Sequence, residues 1–231
     1  IHELVPIHIG DLNLSYTNSS LWMTITLVLT VLLFTAGMRG RAMVPGRMQS
    51  IAELSYEFVA NMVRDNVGNA GRPYFPFIFT VFMFVLVGNL IGMVPYGFTF
   101  TSHIIVTFTM AVVVFLGVTL IALIKHRLHF FTFFMPPGVP LIMAPLLVPI
   151  EIISYLSRPM SLSVRLFANM LAGHTLLKVF AGFVVALGLF GVFPLAFVVV
   201  LTGLEIVIAF LQAFVFTILT CLYLNDALHL H

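Results

Sequence analysis

Long apolar stretches separated by short polar ones run through most of the chain. A helix needs about 20 mostly apolar residues to cross a bilayer, and residues 21–38, 74–95 and 103–124 predict three such spans. Residues 47–67 differ, because their apolar side chains recur every three or four positions between charged ones. This spacing predicts an amphipathic helix along the inner membrane face, with a docking helix for a partner as the alternative. Residues 1–20 are polar and predict an outer segment before the first span.

Basic residues mark one side of the membrane in this pattern. Arg39 and Arg41 follow the first span, and Lys125 and Arg127 follow the third. Short loops rich in Lys and Arg face the cytoplasm, or the matrix in an organelle, so we expect the N-terminus outside and the C-terminus inside. No signal peptide is predicted, because the first residues lack a basic start followed by an apolar core. Residues before Ile1 are expected to be processed off or to lie outside this sequence.

The last apolar region is interrupted by prolines near its start and by a Gly-rich break in its middle. The break predicts two helices, 139–182 and 188–226, of about forty residues each. At about 1.5 Å per residue each would be roughly 60 Å long, against a hydrocarbon core of about 30 Å. Either the first helix kinks at Pro159 and crosses in shorter pieces, or both helices form a strongly tilted hairpin.

Composition places the chain in the membrane class. The 231 residues are 61% hydrophobic and 8% charged, whereas soluble domains have about 25% charged residues. We therefore predict an all-α integral membrane protein with a single membrane domain, 1–231, since barrel strands would alternate polar and apolar residues. The net charge of +2 is too small for nucleic-acid binding. Cys221 is the only cysteine, which excludes an intrachain disulfide and a thiolate metal cluster.

Arg165 is expected at membrane depth, where placing a charged arginine side chain costs several kcal/mol of free energy. Arginine cannot lower this cost by deprotonation, because its side chain stays charged. Ser161 and Asn169 lie one turn before and after it, and Ala168 and Ala172 lie beside them. Small residues let a neighbouring helix approach closely. This face therefore predicts a partner helix that moves past Arg165 at short range.

Two polar pairs are predicted across the hairpin. If its helices meet antiparallel about the Gly-rich break, His174 lies opposite Glu205. The same register brings Arg165 within a turn of Gln212.

These groups suggest a proton path. His174 and Glu205 can admit protons from outside, and Glu151, nearer the inner side, can release them. Arg165 would block a direct leak and attract an ionised carboxylate on a partner. A structural ion pair of Glu151 or Glu205 with Arg158 or Arg165 is the alternative, since buried charges are commonly paired.

Four segments carry a resemblance to a known family. They are SLSVRLFANMLAGH (161–174), GLEIVIAFLQAFVFTILTCLYL (203–224), GNLIGMVP (88–95) and PIEIISYLSRPMSLS (149–163). The chain resembles subunit a of the membrane sector of rotary F-type ATP synthases over essentially its whole length. The resemblance implies a non-catalytic proton-channel subunit without a cofactor or metal, which couples proton flow to rotation and ATP synthesis. The partners it implies are the ring of c subunits, the peripheral stalk (subunit b), other synthase subunits and the lipid membrane.

The resemblance also implies roles for individual residues. Arg165 would be the essential arginine that faces the ring carboxylate and separates two offset half-channels. The other residues implied in proton translocation are Glu205, His174, Gln212 and Asn89 on the outer side, Glu151 on the inner side, and Asn169. Secondary positions are Ser154, Ser157 and Ser161. His174 precedes Glu205, which is similar to the mitochondrial order and implies an alphaproteobacterial inner membrane or a mitochondrial inner membrane.

Two other functions compete with this interpretation. A stand-alone secondary ion transporter predicts inverted repeats and a substrate cavity, and the sequence shows no convincing repeat. A membrane oxidoreductase needs facing histidine pairs at membrane depth, where only His174 is clearly expected. Protons are expected rather than sodium, because the sequence shows no dense cluster of oxygen ligands.

Overall fold

A computed structural model of the chain shows a helical protein with a short paired segment at its start. The described residues are 3–5, 8–9, 12–13, 15–39, 45–94, 97–127 and 143–228. They form six α-helices: α1 (Asn18–Met38), α2 (Arg47–Val67), α3 (Phe75–Gly92), α4 (Ile104–His126), α5 (Ala144–Ala186) and α6 (Val192–Leu228). Arg41 and residues 139–142, which the sequence predictions include, lie outside the described residues.

Four short strands precede α1. They are β1 (Glu3–Val5), β2 (His8–Ile9), β3 (Leu12–Asn13) and β4 (Tyr16–Thr17). β1 pairs antiparallel with β4, and β2 pairs antiparallel with β3, so the second pair is nested within the first. The polar composition of this segment predicts its exposure but not its pairing, because strands of two or three residues carry no readable alternation.

Five helical stretches are long and apolar enough to cross a membrane. They are Asn18–Met38, Arg47–Gly92, Ile104–His126, Pro145–Ala186 and Val192–Leu228. The second stretch combines α2 and α3, which are joined by the 3-10 turn Gly68–Tyr74. The chain is therefore a multi-pass membrane protein, and the prediction of an all-α integral membrane fold is confirmed.

The core lies where α3, α4 and α6 meet α2 and the middle of α5. Phe82, Met170 and Phe216 are fully buried there. Side chains on the opposite faces are exposed and apolar, such as Val185 and Phe193. Because lipid tails are as apolar as these side chains, close packing rather than water exclusion holds such helices together.

The two C-terminal helices are unusually long. α5 has 43 residues and α6 has 37, so at about 1.5 Å per residue each greatly exceeds a hydrocarbon core of about 30 Å. α5 remains helical through Pro149 and Pro159, which favours the inclined hairpin over separate short crossings. The 3-10 turn Gly188–Gly191 joins the two helices, and Gly188 has φ +53°, a conformation that suits glycine.

Candidate functional site

His174 of α5 and Glu205 of α6 form a hydrogen-bonded pair between imidazole Nδ1 and carboxylate Oε1. Glu205 is 3% exposed. Gly173 allows the close approach, because a Cβ added there would lie 2.8 Å from Glu205 Oε1 and 3.1 Å from its Cδ. The antiparallel hairpin thus joins the two residues that the sequence places opposite each other.

The other edge of the His174 ring faces the segment between α3 and α4. Its Nε2 lies 3.1 Å from the Gly92 carbonyl oxygen and forms a short hydrogen bond with Thr99 Oγ1. The Thr99 hydroxyl donates to the same Gly92 carbonyl at 2.8 Å. Sequence reasoning missed Thr99, because it lies outside the helices and no spacing relates it to His174.

A cavity of about 430 Å³ opens beside His174. Its polar lining includes Thr99, Ser102, His103 and Lys178. The His103 ring stacks on Phe98 with centroids 5.0 Å apart, and burial lowers the pKa of His103. The cavity therefore gives the His174–Glu205 pair a polar approach from the end of the molecule where α4 begins.

Asn89 of α3 continues the polar path along α6. It is fully buried, and its Nδ2 donates to the Ala209 carbonyl at 3.3 Å, one turn beyond Glu205. Asn89 Oδ1 and Glu205 Oε2 are both buried and have no hydrogen-bond partner among the described residues. Gln212, three residues further on, is half-buried. Buried polar atoms without partners are uncommon and mark places of functional interest.

Arg165 lies on the exposed face of α5, together with Ser161, Ala168, Asn169 and Ala172. This exposed stripe combines one permanent charge with small and polar side chains. A charge on the lipid side of a membrane helix is costly. The stripe therefore suits contact with another protein surface.

The predicted pairing of Arg165 with Gln212 is absent as a hydrogen bond from the described residues. Arg165 instead lies within electrostatic range of Tyr223, eleven positions further along α6. Arg158 pairs with Asp226, and His174 pairs with Glu205. The two α5 residues are 16 positions apart, whereas their two partners in α6 are 21 positions apart. A one-for-one register consequently fails beyond the first pair.

The part of the hairpin far from the Gly188–Gly191 turn is held by Arg158. Its guanidinium forms an ion pair with Asp226 at 3.2 Å and lies over the rings of Tyr155 and Tyr223, 5.3 and 5.1 Å from their centroids. The Tyr155 hydroxyl is hydrogen-bonded to Thr119 of α4 at 2.7 Å. This cluster links α4, α5 and α6, and sequence reasoning missed Asp226 as the partner of Arg158.

The remaining predicted residues lie near the N-terminal end of α5. Glu151 is half-buried, and Ser154 and Ser157 are exposed. The Ser157 hydroxyl donates to the Ser154 carbonyl at 2.7 Å. The structure thus brings His174, Glu205 and Asn89 together, while the Glu151 group lies at the other end of α5. Within the described ranges, no cluster of three or more His, Cys, Asp or Glu side chains could hold a metal ion.

Comparisons with known proteins show the family to which the chain is similar. The family described as ATP synthase A chain matches residues 20–225. A protein named ATP synthase subunit a from Paramagnetospirillum magneticum is 57% identical over 238 residues, covering 100% of this chain and 96% of the relative. Those so named from Parvibaculum lavamentivorans and Rhodospirillum rubrum are 58% and 57% identical over 236 and 232 residues, covering 99% and 100% of this chain and 91% and 96% of the relatives. These matches confirm the resemblance seen in the four sequence segments.

Proposed function

Because the chain belongs to the ATP synthase A chain family, we propose that its polar residues form two offset half-channels separated by Arg165. The chain is a proton-translocating component of the membrane sector and assembles with other ATP synthase subunits. In this proposal it catalyses no chemical step itself. Protons move through its half-channels onto and off a carrier carboxylate on a rotating ring of c subunits.

The outer half-channel begins at the cavity beside His174. The cavity supplies a polar route to the His174–Glu205 pair. The unpartnered oxygens of Glu205 and Asn89, with Gln212 beyond them, extend polar groups inward along α6. His174 and Glu205 can take up and release protons, while the Asn89 and Gln212 amides can donate and accept hydrogen bonds along the path.

The exposure of Arg165 is the observation that carries the proposal. Its stripe of small and polar neighbours, including Ser161 and Asn169, lets a ring helix pass at close range. An ionised ring carboxylate is attracted to the guanidinium, whereas a protonated one is free to enter lipid. Because Arg165 cannot deprotonate, it also separates the two proton routes.

The inner half-channel is assigned to Glu151 with Ser154 and Ser157. These residues lie toward the end of α5 where Lys125 of α4 donates to the Leu228 carbonyl of α6 at 3.1 Å. Lys125 and Arg127, at the end of α4, support an inner position for this end by the positive-inside rule, which counts Lys and Arg. The N-terminus then lies outside, in a bacterial inner membrane, and the inner ends of the helices are available to the peripheral stalk (subunit b).

The decisive experiment is Arg165→Ala in the complete synthase, reconstituted in proteoliposomes. ATP synthesis driven by an imposed proton gradient should be abolished, because the ring carboxylate loses its counter-charge. Passive proton leak, measured with an internal pH dye, should rise because the two half-channels are no longer separated.

Arg64→Ala provides a matched control, since Arg64 is an exposed arginine of α2 outside the proposed path. That variant should assemble and synthesise ATP normally. Normal synthesis by an assembled Arg165→Ala enzyme would contradict the proposed role of Arg165.

A further inference from the structure

We propose that Thr99 is a positioning residue that, with the Gly92 carbonyl, keeps a hydrogen on Nε2 of His174 and leaves one shared proton between His174 and Glu205. The inference rests on the proposed outer half-channel and adds a residue that no helix contributes. It concerns which ring nitrogen exchanges the transported proton.

The hydrogen-bond partners of His174 determine the assignment. The Gly92 carbonyl can only accept a hydrogen bond, and it lies 3.1 Å from Nε2. The Thr99 hydroxyl uses its single hydrogen on that carbonyl at 2.8 Å, so its lone pairs are left to accept from Nε2. Both contacts therefore require a hydrogen on Nε2, and Nδ1 is the nitrogen that faces Glu205.

The arrangement around Thr99 is closely packed. Thr99 is 5% exposed, and Ser102 Oγ donates to its carbonyl at 2.7 Å. A Cβ added to Gly92 would lie 2.6 Å from Thr99 Cγ2, and one added to Gly88 would lie 2.5 Å from a ring carbon of Phe100. Gly88 and Gly92 of α3 thus allow residues 99–102 to pack closely against α3. This packing holds the Thr99 hydroxyl next to Nε2 of His174.

This geometry gives the proton step a defined form. In one state Glu205 carries the proton and donates it to Nδ1 of a neutral His174. In the other state the proton has moved to Nδ1, giving an imidazolium and a carboxylate with no change in total charge. The hydrogen on Nε2 stays in place throughout, so protons are exchanged only on the side that faces the carboxylate.

The charged and titratable neighbours of His174 come from three elements. Glu205 faces it from α6, Lys178 follows it one turn later on α5, and His103 lines the same cavity from the segment before α4. Gly92 at the end of α3, and Met93 and Val94 directly after it, also line the cavity and carry no titratable side chain. Thr99 accordingly acts through hydrogen bonding and not through charge.

The test is Thr99→Val in the complete synthase, with the rate of ATP synthesis measured against outer pH. Valine keeps the shape but loses the acceptor for Nε2, and a hydrogen bond donated by a cationic ring is stronger than one donated by a neutral ring. As the outer pH is raised, the rate of ATP synthesis falls to half of its maximum at a certain pH. In Thr99→Val that pH should therefore be lower than in the wild type by about half a unit to one unit. Thr99→Ser, which keeps the hydroxyl, should restore the wild-type profile.

Thr101→Val is the matched control. Thr101 is fully buried two positions away, and its hydroxyl has no hydrogen-bond partner among the described residues. It should leave the pH profile unchanged. A wild-type profile for Thr99→Val, a loss of rate at every pH without a shift, or an equal loss in Thr99→Ser would overturn the inference.

The same assay separates this inference from the proposed function. His174→Ala and Glu205→Gln should each abolish gradient-driven synthesis. If they do so while Thr99→Val has a wild-type pH profile, the proposed outer half-channel is supported and the proposed role of Thr99 is wrong. If both retain a wild-type profile, the outer half-channel itself is wrong.

Discussion

Gly173→Ala should slow gradient-driven ATP synthesis without destabilising the protein. An added Cβ would lie 2.8 Å from Glu205 Oε1 and 3.1 Å from its Cδ, inside the 3.4 Å at which ordinary contacts begin. The carboxylate must therefore withdraw by about 0.6 Å. Because this carboxylate ends a flexible side chain, it can move at little packing cost, but the movement takes it away from His174.

The expected loss follows from that displacement. A hydrogen bond that involves a charged group contributes about 1.5–3 kcal/mol, which corresponds to roughly 10- to 100-fold in an equilibrium. We therefore expect gradient-driven ATP synthesis in proteoliposomes to fall at least about tenfold. Helix stability should not fall, because alanine is favoured over glycine by about 1 kcal/mol within a helix.

Gly182→Ala is the control for this prediction. It makes the same substitution in the same helix, and its added Cβ meets nothing within 4 Å. It should assemble, resist heating as well as Gly173→Ala, and synthesise ATP at the wild-type rate. Full activity of Gly173→Ala would refute the reasoning, and so would an equal loss in both variants.

Two further predictions concern pairs across the hairpin. Exchanging His174 and Glu205 should retain more gradient-driven synthesis than His174→Ala or Glu205→Gln, because a hydrogen-bonded pair can work in either order; equal losses in all three would count against the pair. Arg158→Gln should destabilise the complex by about 1–2 kcal/mol, because it removes a partly exposed ion pair and two cation–π contacts. Asp226→Asn removes only the ion pair and should lower the stability measured by thermal denaturation less than Arg158→Gln does. Equal losses of stability would show that the rings of Tyr155 and Tyr223 do not stabilise the complex.

Much of the fold could be predicted from local properties of the chain. Apolar stretches long enough to span a bilayer define the membrane helices, because lipid admits only helices or closed barrels. The Gly-rich break predicts the hairpin, and its antiparallel register predicts the contact of His174 with Glu205. That contact lies about a third of the way along the helices from the turn, where an error of a few positions in the register has not yet accumulated.

The same register was wrong further from the turn. It pairs Arg165 with Gln212. In the structure Arg165 is exposed, and Arg158, two helical turns earlier in α5, pairs with Asp226. Between the two pairs, α6 uses more residues than α5. No spacing within either helix reports this difference, which appears only when the helices are packed together.

The sequence by itself determined the membrane class and the helical stretches, because length and hydropathy are local properties, and it singled out Arg165, His174 and Glu205 as polar residues of apolar helices. The resemblance implied the remaining residues of the candidate proton path. Only the tertiary structure showed that the predicted stripe around Arg165 is exposed. It alone placed Thr99 and the Gly92 carbonyl against His174, because Thr99 lies outside the α-helices and its position depends on the helices that it packs against. The direction in which His174 exchanges a proton is therefore set by a backbone carbonyl and a hydroxyl distant in sequence.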